Sequence, residues 1–109
     1  MIIFQEKYKP LILSGEKEWT IRKGDRRKRM KIGAIHKCKK SMFTIEFFAR
    51  IRIKKMIVKK FGELDEQDAK DDLFSSVEEM KEELQRLNGE ITDNTLMTKI
   101  NFELVKNDN

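Results

Sequence analysis

Apolar positions along this 109-residue chain alternate with polar ones in several stretches and recur at helical spacing in others. Ile2-Ile3-Phe4 is a short apolar run suited to a buried strand. Tyr8, Leu11 and Ile12 then follow at helical spacing, predicting a helix of about two turns. Ser14-Gly15 stops it where a helix needs a left-handed residue. From Trp19 to Arg22 the period is two, which puts Trp19 and Ile21 on one face of a strand and Thr20 and Arg22 on the other. A Gly24-containing loop leads to a turn at Lys31-Ile32-Gly33 and a strand at 34–39.

The strongest strand pattern is FTIEFFARIRIKKMIV, residues 43–58. Phe43, Ile45, Phe47, Ala49, Ile51 and Ile53 share one side, so the stretch predicts a long strand, or two joined by a bend. After Gly62 comes the acidic segment ELDEQDAKDD. In SSVEEMKEELQRLNG, Ser75 or Ser76 caps a helix, Glu78 or Glu79 completes a capping box, and Val77, Met80, Leu84 and Leu87 form the apolar face. Asn88-Gly89 ends that helix, and Met97 to Val105 reads as a last strand. Strands and helices in this order predict an α+β fold. The length predicts one domain, residues 1–106, with a short polar tail at 107–109.

Charge adds what periodicity does not show. The net +5 divides into +14 for residues 1–60, with 19 basic and 5 acidic groups, and −9 for residues 61–109, with 5 basic and 14 acidic. Between Lys17 and Lys31 stand eight basic residues and two acidic ones. Such polarity either steers a polyanion to one part of the surface or is neutralised across the fold. The single Cys38 forms no intrachain disulfide, and with His36 as the only histidine there is no ligand set for structural zinc. Asp65, Glu66, Asp68, Asp71 and Asp72 lack the spacing and central Gly of a calcium loop. The expectation is therefore no metal, no cofactor, and a reducing, cytoplasmic setting. No apolar run approaches the roughly 18 residues of a membrane span, and residues 1–13 do not have the pattern of a secretory leader.

The succession ILSGEKEWTIR, KIGAIHK, RIRIKK, DAKDDLFSSVEEMKEEL and INFELV resembles the ASCH domain, a branch of the PUA-like superfamily. The resemblance spans nearly the whole chain and centres on G-x-K-x-x-T-x-R, here Gly15 to Arg22. It implies a mixed, partly open β-barrel flanked by two or three helices, with a cleft beside the G-x-K-x-x-T segment. It further implies RNA or a modified nucleoside as partner. One branch of the family consists of small amidohydrolases that deacetylate N4-acetylcytidine with a Lys as proton acceptor, a Thr three positions later as nucleophile and a Glu as proton donor. Lys17 and Thr20 match the first two. The third falls on Asp72, one methylene shorter than Glu, with Asp71 an imperfect substitute.

Two functions follow. The first is a binding module whose cleft takes an unstacked base while Arg22, Lys23, Arg26, Arg27, Lys28, Arg29, Arg50 and Arg52 hold phosphates. The second is an amidohydrolase using Lys17, Thr20 and Asp72. Threonine needs a base to become a nucleophile, and a lysine serves only when burial or nearby cations lower its pKa. Trp19 reads as a core residue alongside Ile21, and His36 and Cys38 as strand residues without chemistry.

Overall fold

The computed structural model describes residues 1–106, so the 107–109 tail expected from the sequence lies outside the described residues. Five strands form one mixed sheet: β1 (Ile2–Ile3), β2 (Trp19–Lys23), β3 (Ile35–Lys39), β4 (Ala49–Lys60) and β5 (Leu96–Leu104). Their spatial order is β1-β3-β4-β5-β2, parallel at β1/β3 and antiparallel elsewhere. Helices α1 (Lys9–Leu13), α2 (Glu66–Asp71) and α3 (Val77–Asn88) complete the fold. The two-turn helix expected near Tyr8 is a 3-10 turn, Glu6–Tyr8, running into the short α1.

Register decides which side chains share a face, because directly opposed residues of an antiparallel pair point the same way. Thr20 opposes Ile100 and Arg22 opposes Thr98 on the inner face of the curled sheet. That face also carries Ile51, Ile53 and Phe102, which pack with Phe4, Ile12 and Cys38 in one core. Ile21 and Met97 lie on the outer face and pack against Phe61, Ala69, Met80 and Leu84, so α2 and α3 cover that side. The β4–β5 register shifts between Ile53 and Lys55. This bulge moves the inward parity from Ile51 and Ile53 to Met56 and adds the local twist a half-barrel needs.

Two sequence expectations are corrected here. Residues 43–48 are not strand; β4 begins at Ala49. Phe43 and Ile45 alternate as strand residues do, but they have no covering layer and are 97 % and 92 % exposed. Trp19 is not core. It is half-buried on the outer face with the Lys99 ammonium 4.4 Å from its ring centre.

The acidic segment forms α2, opened by a reciprocal box in which Asp65 accepts from the Asp68 amide at 3.0 Å and Asp68 from the Asp65 amide at 2.9 Å. Asp68 also accepts from Lys59 at 2.7 Å and Lys99 at 2.9 Å. Burial alone would raise its carboxyl, but these partners bring it down to about 2 from 3.8. Because the folded value lies below the unfolded one, this contribution is complete above about pH 4 and is lost as pH falls through about 2. Acid unfolding should therefore remove on the order of 1–2 kcal/mol in that window. Urea midpoints measured against pH should show a smaller step in Asp68→Asn than in wild type, the remainder belonging to other depressed carboxylates such as Asp25 and Asp71.

Candidate functional site

β1 and β2 are the two edges of the sheet, and the half-barrel leaves a seam between them. A cavity of about 280 Å³ fills it. Phe4 and Gln5 line one side, Thr20 and Arg22 the other, with Glu83 and Leu87 of α3 across the mouth. Lys17 and Asp72 also line it.

Each central side chain is placed by local structure. Gly15 takes a positive φ of 83° after α1, turning the chain back so that the Lys17 amide donates to the Leu11 carbonyl at 2.9 Å. The Glu18 carbonyl is then held by the Phe102 amide at 2.9 Å. Lys17 is thereby fixed just before β2, and Thr20 lies within it. Asp72 caps the C-terminus of α2. The amides of Leu73 and Phe74 bond back to the carbonyls of Lys70 and Ala69, at 3.1 and 2.8 Å, in a Schellman closure. Leu73 occupies the left-handed position with φ 66°, where glycine is usual. A leucine at that φ carries strain immediately beside Asp72.

The result is a buried pair: Lys17 Nζ donates to Asp72 Oδ1 at 2.6 Å, with the residues 3 % and 7 % exposed. An aspartate side chain, one methylene shorter than a glutamate, therefore reaches the lysine. Asp71 points elsewhere, accepting from Lys99 at 2.6 Å and from Gln67 at 2.8 Å. Burial pushes the Lys17 ammonium below its ordinary pKa, and Arg22 pushes the same way against the pull of Asp72. Burial likewise pushes Asp72 up, against the cations Lys17, Arg22 and Lys99. Both shifts narrow the gap between the ion pair and its uncharged form, in which a free amine stands beside a protonated carboxyl.

Thr20 is 5 % exposed, and its Oγ1 accepts from Arg22 Nε at 3.1 Å. That oxygen is thus oriented, and its proton is left to be donated elsewhere. The Arg22 guanidinium lies 4.7 Å from the Phe4 ring centre, and burial followed by Arg26 brings its pKa down to about 10. Tyr8 packs its ring 4.6 Å from Lys17 Nζ.

Of the cations expected to hold phosphate, Arg22, Lys23 and Arg26 line the cavity. Lys23 Nζ donates to the Glu90 carbonyl at 3.2 Å and Arg26 Nε to the Lys23 carbonyl at 2.9 Å. Arg27, Lys28 and Arg29 are exposed on the adjoining loop, with Arg27 bonded to Asp25. Arg50 and Arg52 are not brought to the cavity. They alternate with inward Ala49, Ile51 and Ile53, so they lie on the outer face, where Arg52 pairs with Glu103 at 3.1 Å. His36 Nδ1 lies 3.3 Å from the N-terminal amine, and burial pushes the Cys38 thiol up to about 12.

Phe4, Tyr8 and Glu83 were not legible as site residues. Phe4 and Tyr8 read as apolar members of periodic runs and Glu83 as one of many acids on an exposed helix face. Leu87 gave a faint signal, standing at the end of an apolar stripe whose core members are Met80 and Leu84.

No protein-family model matches the sequence, and no curated protein matches it. Solved structures do. The hypothetical protein PH0355 is similar at 22 % identity, with a TM-score of 0.74 over 95 % of this chain and 96 % of that one. An ASCH domain from Lactobacillus crispatus JV V101 is similar at 15 % identity, with a TM-score of 0.67 over 95 % of this chain and 77 % of that one. Protein EF3133 from Enterococcus faecalis V583 is similar at 21 % identity, with a TM-score of 0.62 over 91 % and 70 %. The chain has an ASCH-like fold: an α+β, PUA-like, partly open barrel of five strands and three helices. No described helix is long and apolar enough to cross a membrane. Among the described residues, no group of three or more His, Cys, Asp or Glu is placed to hold a metal ion.

Proposed function

We propose that the seam cavity binds an acylated nucleoside and hydrolyses its amide, with N4-acetylcytidine as the test substrate. The observation that carries this reading is the buried Lys17–Asp72 pair, in the same cavity as the oriented hydroxyl of Thr20. A surface lysine and a strand threonine need no such burial. Desolvation costs several kcal/mol per ion even for a good pair, so a fold under selection for stability alone is served as well by apolar residues there.

The reactive form is the one in which the proton of the ion pair has passed from Lys17 to Asp72, leaving Lys17 a free amine, a form that burial brings within closer reach for both groups. Lys17 takes the Thr20 proton as Oγ1 attacks the acyl carbon. The tetrahedral species then collapses, the C–N bond breaks, and the leaving exocyclic nitrogen takes the Asp72 proton. Water next attacks the acyl-threonine, giving one proton to Asp72 and keeping the other, while Lys17 returns to Thr20 Oγ1 the proton it took in the first step. The carboxylic acid leaves, and the pair is restored with its single proton. Arg22 holds the Thr20 oxygen in place through the attack. Tyr8, half-buried in the cavity wall, offers aromatic surface to a base, and the cations Arg22, Lys23 and Arg26 suit a ligand that carries phosphate nearby.

Purified protein incubated with N4-acetylcytidine should release cytidine and acetate. The rate should follow a bell in pH. It falls on the acid side as the pair gains a second proton and the base is lost, and on the alkaline side as the pair loses its only proton and the acid is lost. No turnover of any acylated nucleoside across that range would end the hydrolase reading and leave the cavity as a binding site.

A further inference from the structure

The loop between β3 and β4, residues 40–48, carries three apolar side chains at its tip: Met42, Phe43 and Ile45 are 69 %, 97 % and 92 % exposed. Its base is anchored. Phe48 packs against the core, and its amide donates to the Cys38 carbonyl at 2.9 Å. Beside the tip lies a groove of about 160 Å³, walled by Lys40, Thr44, Glu46 and Phe47 of the loop and by Glu6 and Lys9 from the helical turns across it. This is below the size of drug-binding pockets, roughly 300 Å³ and more, and suits one planar ring. The four charged side chains of the groove are exposed, and among the described residues none of them enters an ion pair.

We infer that two copies of this chain associate through this loop, each inserting Phe43 into the groove of the other. Phe43 adjoins Thr44 at the rim of its own groove, so a two-fold axis beside the tip carries each ring over the opposite groove. Such an isologous contact requires a surface complementary to itself. A rim of one sign would repel its copy, whereas this one holds two carboxylates and two ammonium groups. Half a turn sets Glu6 and Glu46 of one copy against Lys9 and Lys40 of the other. An anionic bilayer or a nucleic-acid backbone would meet the same two carboxylates with nothing to balance them. An aromatic anchor seated in a pocket and ringed by polar side chains is the usual anatomy of an interface centre. Each phenylalanine brings about 150–250 Å². With Met42, Ile45 and the charged rims, the pair of insertions comes to the lower end of specific interfaces, about 1,200 Å² in total, so the dimer is weak, with a Kd on the order of micromolar.

Sedimentation equilibrium of the purified chain from about 1 µM to 1 mM should show a monomer–dimer equilibrium. Phe43→Ser removes a ring that buries almost nothing within its own chain. Loss of an anchor costs about 30-fold, and a two-fold contact carries the change twice, so dimerisation should weaken by about 10³-fold. Glu6→Lys with Glu46→Lys makes the rim wholly basic, and Lys9→Glu with Lys40→Glu makes it wholly acidic. Each double variant should be monomeric alone, and an equimolar mixture of the two should form the heterodimer. A wild type that stays monomeric to about 1 mM overturns the inference. So does a Phe43→Ser protein that dimerises as wild type does, or a mixture that associates no more than its parts. It is equally overturned if the loop variants leave the dimer intact and instead lose binding to anionic vesicles or to single-stranded RNA. Turnover of N4-acetylcytidine enters none of these measurements, so the dimer and the hydrolase stand or fall separately.

Discussion

Lys17→Met is expected to lower the unfolding free energy by roughly 3–5 kcal/mol, the cost of stranding one member of a buried ion pair. Asp72 then has only distant cations around it in a site 7 % exposed, and it responds by keeping its proton. A carboxyl whose folded pKa lies above its unfolded value of 3.8 favours the fold below that pH and loses this advantage as pH rises through the folded value. The deficit of Lys17→Met should therefore widen from acid to neutral pH. Lys17→Met combined with Asp72→Leu removes both charges and should recover most of the loss, because the penalty belongs to the unpaired group. Urea midpoints of the four proteins at two pH values measure all of this. A single variant as stable as wild type at neutral pH would show that the pair is not buried as described.

Thr20→Ala should abolish turnover of N4-acetylcytidine, by about 10⁴- to 10⁶-fold, the scale for loss of an activated nucleophile. Its effect on folding should be far smaller, since the hydroxyl loses one bond to Arg22, worth about 1–3 kcal/mol with a charged donor. Substrate binding should survive, because the cavity walls are untouched. Thr20→Ser restores an oxygen that can reach the acyl carbon and should recover measurable rate. If Thr20→Ala retains the wild-type rate, water rather than threonine is the nucleophile and the acyl-enzyme step is removed. Asp72→Asn keeps the shape and removes the acid, and should slow the reaction by roughly 10² to 10⁴.

Much of the fold can be read along the chain because strands and helices advertise their faces locally. The period of two at Trp19–Arg22 set Thr20 and Arg22 on one face, and the 3.1 Å bond between them is its direct result. The apolar stripe Met80–Leu84 and the Ser76 cap, which accepts from the Glu79 amide at 3.1 Å, fixed α3 in the same way. The place of Lys17 followed from a glycine stop and the strand after it. Where local pattern failed, it failed for lack of a partner. Residues 43–48 have strand periodicity, but a strand needs neighbours on both ladder and face, and nothing covers Phe43 or Ile45.

By itself, then, the sequence determined the α+β element order, the Lys-x-x-Thr-x-Arg spacing that puts a hydroxyl and a guanidinium on one side of a strand, and the concentration of positive charge in residues 1–60. Tertiary structure alone decided which acid completes the site. Asp71 and Asp72 are adjacent and chemically identical, yet a helix turns about 100° per residue, and the left-handed Leu73 closes α2 so that Asp72 points into the seam while Asp71 turns to Lys99. It decided too that Arg22 and Arg26 reach the cavity while Arg50 and Arg52 do not, since faces of different strands meet only when the sheet curls. Burial of the Lys17–Asp72 pair is likewise a property of the assembled seam. The pKa of a group answers to the dielectric and charges around it, and those are supplied by β1, β2, α2 and α3 from distant parts of the chain.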